Sequence, residues 1–194
     1  MFNRKTAQGR PDLFVSAKTA IPARHPALRD ALIQASLDPQ VRSISYVASA
    51  CVASEQVELE AVVVQRNDCR YLLDIVPARR VRDLEDEGLV QIALAKLALK
   101  PLTLTAEEIR REPRYANSRL VLSYNGIAVP LGLRMRTLQI LLDDGPMPLG
   151  QLLKSIRSDR DPTAAVMALA CADLLSLDLV SQPLGPGTIT RSRS

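Results

Sequence analysis

The stretch from residue 41 to residue 79 constrains this chain most. VRSISYVASACVA (41–53) and QVELEAVVVQR (56–66) are rich in Val, Ile and other strand formers, with period-two stretches. CRYLLDIVPAR (69–79) reads as a third strand, stopped by Pro77. Asn67-Asp68 between the second and third strands predicts a β-hairpin. PALRDALIQASL (26–37) precedes the block. Its Leu28, Ala31, Leu32 and Ala35 fall at helical spacing, with Pro26 at the start and Asp38-Pro39 as the stop. RVRDLEDEGLVQIALAKLALK (80–100) follows as a long helical pattern ended by Pro101. LTLT (102–105) then reads as a short buried strand. Thr105 and Glu108 match a capping box that opens a short helix through Arg111. The order predicts an α/β (α+β) fold with a mixed sheet flanked by helices.

Residues 113–132 hold Pro, Asn and Gly at both ends and read as a connector, with Leu120–Tyr124 extended. Beyond it the pattern changes. Helices are predicted at 133–144, 149–157 and 162–177, the last with Asp161 as N-cap and Pro162 in its first turn. LDLVSQ (177–182) and TITRSR (188–193) read as a hairpin around a Pro/Gly turn. Three helices and a hairpin make a winged-helix-like plan, whose small core would draw on Leu138, Leu141, Leu142, Leu149, Leu152, Leu153, Leu169, Leu174 and Leu175. The expected division is a basic arm (1–25), a sheet domain (26–112), the connector (113–132) and the winged-helix-like domain (133–194). Leu13, Phe14 and Val15 are the arm's only candidates for a strand or anchor.

Several function classes fall away on composition. No run of eighteen apolar residues exists, and the N-terminus lacks the apolar core of a signal peptide. Three widely spaced cysteines (51, 69, 171) exclude a disulfide scaffold and a close-spaced zinc motif, and predict a reducing cytoplasm. A single histidine, His25, excludes histidine-paired catalysis. No Gly-Lys-Ser/Thr phosphate loop occurs. Aromatic residues at 3% argue against stacking on unpaired bases, leaving duplex phosphates as the expected nucleic-acid target. The net charge of +4 sits in the first 24 residues, where Arg4, Lys5, Arg10, Lys18 and Arg24 oppose Asp12 alone. A second basic cluster, Arg110, Arg111, Arg114, Arg119, Arg134 and Arg136, faces only Glu112. Arm and cluster together would form a phosphate-tracking surface. The competing reading pairs the cluster with Asp83, Glu85, Asp86 and Glu87.

The candidate chemistry lies on the sheet. Glu58 and Glu60 are two residues apart on one strand, and Asp74 interrupts the apolar run YLLDIV on the paired strand. A carboxylate there is costly to bury unpaired. Glu58 (with Glu60) and Asp74 converging would make an oxygen-ligand site for Mg²⁺, able to activate water against a phosphodiester. Otherwise the glutamates face solvent and Asp74 pairs with Arg79 or another arginine.

The helix ending in DPQV, the acid-bearing strands, the following helix and the LTLT-AEEI strand-helix resemble the PD-(D/E)xK nuclease fold. They resemble in particular the TnsA-type transposon-end endonucleases, which also carry a winged-helix-like C-terminal domain. The resemblance covers roughly residues 26–182. It implies Glu58, or Glu60 in the other register, as one metal-binding acid and Asp74 as the second. It also calls for a lysine two residues after Asp74, where Val76 stands, and a glutamate on the first helix, where Leu28 stands. Valine can neither stabilise phosphate charge nor position water. Arg79 and Arg80, just beyond Pro77, are the basic groups nearest to the lysine's place, but a guanidinium stays protonated and is a poor proton-transfer group. The expectation is a degenerate, inactive nuclease fold in a bacterial transposon- or defence-related system, bound to DNA. A regulatory or scaffold protein that binds other proteins is one alternative. An endonuclease with a relocated basic residue is another.

The predicted third helix of the C-terminal domain presents Thr163, Ala164, Met167 and Ala168 at its N-terminal positions. None is Arg, Lys, Asn or Gln, which argues against specific base reading by this helix. Phosphate contacts would fall instead to Lys154, Arg157, Arg160, Arg191 and Arg193. Exposed Met and Ala there would equally suit a protein partner.

Overall fold

The computed structural model describes residues 13–16, 19–158 and 161–193. Arg4, Lys5, Arg10 and Arg160 lie outside the described residues. The chain is mixed α/β, as expected. Strands β1 (Leu13–Ser16) and β2 (Thr19–Pro22) form a small antiparallel hairpin, of which only the first strand was foreseen. Helix α1 (Pro26–Ser36) begins where the His25 Nδ1 accepts the Ala27 N–H at 3.2 Å. It buries Ala27, Ala31, Leu32 and Ile33.

The main sheet holds β3 (Val41–Val52), β4 (Glu55–Arg66), β5 (Arg70–Ile75) and β6 (Lys100–Leu104), adjacent in that order. The first three run antiparallel and β6 lies parallel to β5. A parallel neighbour needs a crossover, supplied by α2 (Leu84–Lys96). Helix α2 starts four residues later than the sequence pattern suggested. The Asp83 carboxylate accepts the Asp86 N–H at 2.9 Å and caps the helix there, leaving 79–83 irregular. Pro101 does not end a helix. It sits inside β6, an edge strand where a missing N–H is tolerated. The capping box at Thr105 and Glu108 forms as expected and opens α3 (Ala106–Ile109).

Successive residues on β4 and β5 pack into different clusters, as strand alternation requires. Val62, Val64, Leu73 and Ile75 join α1 on one face. Val57, Leu59 and Ala61 meet Val90 and Ala93 of α2 on the other. The sheet is thus covered by a helix on each side.

Residues 113–132 are not a loose connector. They contain α4 (Arg114–Leu122), so Leu120–Leu122 are helical and not extended. Then come α5 (Leu131–Asp143), β7 (Met147–Pro148), α6 (Leu149–Ser155), α7 (Thr163–Cys171), β8 (Leu175–Leu177) and β9 (Ile189–Ser192). The last three strands form a sheet in the order β7-β9-β8. The helix expected over 162–177 is cut short at Cys171, because Asp173 turns the chain with φ +63° into β8. Leu142, expected in the core, is 65% exposed.

The two halves share one core, which runs from Leu32 and Val64 through Ile109 and Val121 to Leu152, Val166 and Leu175. Polar ties reinforce it. Asn117 of α4, 4% exposed, donates to the Leu179 and Gln182 carbonyls at 2.9 Å and accepts the Leu184 N–H at 2.8 Å. Asp38 of the DPQV turn pairs with Arg114 of α4 at 3.3 Å and with Arg66 of β4 at 3.6 Å. Arg193 pairs with Asp173 and donates to the Val41 carbonyl of β3.

Candidate functional site

Two of the three candidate acids, Glu60 and Asp74, line a cleft at a fork in the main sheet, whereas Glu58 lies outside that lining and joins Glu60 only through their shared partner Arg80. Strands β4 and β5 pair only from Gln65↔Arg70 to Val63↔Leu72. Beyond that point a cleft of about 620 Å³ opens. Its walls include Leu28 of α1, Glu60 and Val62 of β4, Asp74 and Ile75 of β5, and Val90 and Leu94 of α2. Arg79, Arg80 and Arg82 also line it.

Each acid meets an arginine from the short segment after β5. Asp74, 19% exposed, accepts Arg79 Nε on Oδ1 at 2.8 Å and Arg79 Nη2 on Oδ2. The Thr103 hydroxyl of β6 donates to the same carboxylate at 2.9 Å. The hydrogen bonds from Arg79 hold the Asp74 carboxyl below the usual aspartate range, against the cost of partial burial, and Thr103 adds to the effect. Arg80 Nη1 lies 3.2 Å from Glu58 and 3.3 Å from Glu60. Both glutamates are exposed, and Glu60 stands at φ +49° where the β3–β4 register shifts. That left-handed backbone costs about 1 kcal/mol in a non-glycine residue and belongs to the bulge that places Glu60 beside Glu58's partner. Arg82 Nη2 donates to the Leu59 carbonyl at 3.1 Å and lies 4.0 Å from Glu87, tying the segment to β4 and α2.

The donor set does not fit a divalent metal. Glu58 and Glu60 share one guanidinium and Asp74 is held bidentately by another. Among the described residues no three His, Cys, Asp or Glu side chains form a cation-binding group. Val76, at the lysine position, lies in a 3-10 turn (Val76–Ala78) and is 39% exposed. Leu28 gives the cleft an apolar side chain where the resemblance calls for a glutamate.

The winged-helix-like half differs from expectation. Met167 and Ala168 are buried, at 3% and 6% exposure, because α7 packs against α4 and the core. Thr163 and Ala164 are half-buried. The face that would enter a major groove, or meet a protein partner through Met and Ala, is therefore inside the molecule. The loop between β8 and β9 is fastened to α4 through Asn117.

The basic candidates divide into two groups. Arg114 and Arg193 are structural, paired with Asp38 and Asp173. Arg110, Arg111, Arg119, Arg134, Arg136, Lys154, Arg157 and Arg191 are exposed, and none has a carboxylate within ion-pair distance among the described residues. Asp83, Glu85, Asp86 and Glu87 do not neutralise them; Asp83 caps α2 and Glu87 neighbours Arg82. Arg119 is held by the Tyr115 hydroxyl at 2.6 Å, and Arg136 donates to the Arg157 carbonyl. Of Cys51 and Cys171, both of which read from the sequence as small core residues, only Cys171 packs against the core, half-buried; Cys51 is exposed. Burial pushes the Cys171 thiol up to about 11, and its Sγ donates to the Val121 carbonyl at 3.1 Å.

Asn117 and Thr103 were not singled out from the sequence. Asn117 occupies a stretch read as loop, where an Asn is ordinary. Thr103 became relevant only once β6 paired with β5 and set it opposite Asp74. No helix among the described residues is long and apolar enough to cross a membrane. No protein-family model matches the chain, and no curated protein matches it at a significant level.

Proposed function

We propose that this chain is a DNA-associated, noncatalytic relative of the PD-(D/E)xK nucleases, working in the bacterial cytoplasm within a transposon- or defence-related complex. The sequence resemblance to the TnsA type supplies that setting. The observation that carries the loss of chemistry is the arginine pair at the fork: Arg79 closes on Asp74, and Arg80 closes on Glu58 and Glu60. Guanidinium groups hold both oxygens of Asp74 and one oxygen each of Glu58 and Glu60, competing there with any metal, and they cannot shuttle protons. The exposed arginines and Lys154 support contact with duplex phosphates.

Incubation of the full chain with supercoiled DNA and Mg²⁺ or Mn²⁺ tests this reading. No nicking is expected, in the wild type or in Asp74→Ala. Cleavage that disappears in Asp74→Ala would establish the relocated-base endonuclease instead. DNA affinity that falls steeply with salt supports the phosphate contacts, and a flat response removes them.

A scaffold or regulatory role through protein contacts is the second reading. It is favoured by apolar residues on α5 that remain uncovered: Leu131, Met135 and Leu142, at 71%, 58% and 65% exposure.

A further inference from the structure

Helix α5 buries Thr137 and Leu141 against its own lobe. Its opposite side carries Leu131, Met135, Leu138 and Leu142 in one stripe, at intervals of i, i+4, i+7 and i+11. Three of the four are more than half exposed, and Leu138 is partly so. A surface helix normally turns such a stripe toward a core. Here the core takes the other side.

The stripe points to one occupant. We propose that α5 is the contact helix of a homodimer and packs antiparallel against α5 of a second copy about a two-fold axis. Three observations favour a second copy. The spacing reads the same in both directions, so an antiparallel partner sets Leu131 against Leu142 and Met135 against Leu138 in every layer. No charged residue lies within the stripe. Gly132 borders it, with nothing within 4 Å of where its Cβ would stand, so two helix backbones can approach closely.

The area is also sufficient. At roughly 100 Å² per aliphatic side chain, the stripe offers on the order of 400 Å² per copy. Two copies bury on the order of 800 Å² from the stripe alone, and the polar rim around it brings the pair toward the order of 1,000 Å² that a specific interface requires. A patch of this size matches the largest apolar patch on a typical monomer, and such a patch is often a contact site. The proposal does not depend on the reading of the fork.

Sedimentation equilibrium of the full chain over a wide concentration range tests it. The mass should rise from 21.2 kDa toward twice that value. Met135→Glu and Leu142→Glu alter exposed side chains and should leave the far-ultraviolet circular dichroism unchanged. Each should weaken association about ten-fold or more. Val81→Glu, at a 96% exposed site in the other lobe, should leave association intact. In a Leu131→Cys/Leu142→Cys variant, oxidation should join residue 131 of one copy to residue 142 of the other, identified by peptide mass. A chain that stays at 21.2 kDa at every concentration overturns the proposal, as does a dimer untouched by Met135→Glu. A 131-to-131 link overturns the antiparallel arrangement.

Discussion

The fork of the main sheet and helix α7 are two regions that the sequence pattern singles out as candidate sites, one for its acids and one for its place in a winged-helix-like plan. The structure answers the two expectations in different ways. At the fork the acids stay within reach of solvent and are answered by guanidinium groups. On α7 the helix is retained but its reading face is buried against α4. Neutralisation by charge leaves the backbone and cleft in place, so a side-chain change can undo it. Burial makes the same surface part of the core, so exposing it means breaking the packing that joins the two lobes. The fork is a site whose ion-pair partners can be exchanged, whereas α7 is part of the core.

The largest expected effect tests the structural side of this contrast. Asn117→Ala removes three hydrogen bonds and leaves the Leu179 and Gln182 carbonyls and the Leu184 N–H without that partner. A loss of about 3 kcal/mol in unfolding free energy is expected, measured by urea denaturation. A change near zero would mean that the loop is not fastened to α4, and would reopen the hairpin loop as a DNA-contacting wing. Arg193→Ala comes next, at about 2 kcal/mol, because the guanidinium joins Asp173 and β3 and its partner is only half withdrawn from water. The same substitution should leave DNA affinity unchanged in a fluorescence anisotropy titration, whereas Arg111→Glu should weaken it. If Arg193→Ala alone lowered DNA affinity, the division between structural and exposed arginines would fail.

The elements of the sheet were legible because local and global signals agreed. Val and Ile runs, the Asn67-Asp68 turn, the capping box at Thr105 and the possible Asp74–Arg79 pair all correspond to observed features. The failures share one cause, which is packing between segments distant in sequence. Met167 and Ala168 read as exposed because position along α7 alone sets them near its N-terminal end, and the packing of α4 against that face does not show in the pattern of residues 113–132. Leu142 looked like core because leucines near one another do not reveal which side of a helix the lobe occupies. Arg193 looked like a tail contact for phosphates, but its partner carbonyl at Val41 lies on the far side of the chain in sequence. The arginine segment after Pro77 was readable as a nearby source of charge. Its even division between the acids of two strands was not, since that depends on β4 and β5 parting just beyond Val63.

The smallest effect bears on the fork itself. Arg79 lowers the Asp74 pKa in the folded protein, so the pair contributes stability above the ordinary aspartate value of 3.8 and loses it as pH falls through the lowered folded value. Arg79→Ala should therefore reduce stability at neutral pH by less than either substitution above, because the guanidinium is 55% exposed and well screened. The deficit should shrink as the carboxyl protonates in acid, leaving wild type and variant alike. Thr103 would still donate to Asp74, so part of the pKa depression should survive and appear in a carboxyl titration followed by NMR. A deficit that persisted unchanged in acid would show that Arg79 acts through packing and not through charge. The fork would then belong with α7, as structure, and the distinction between neutralisation and burial would no longer separate the two regions.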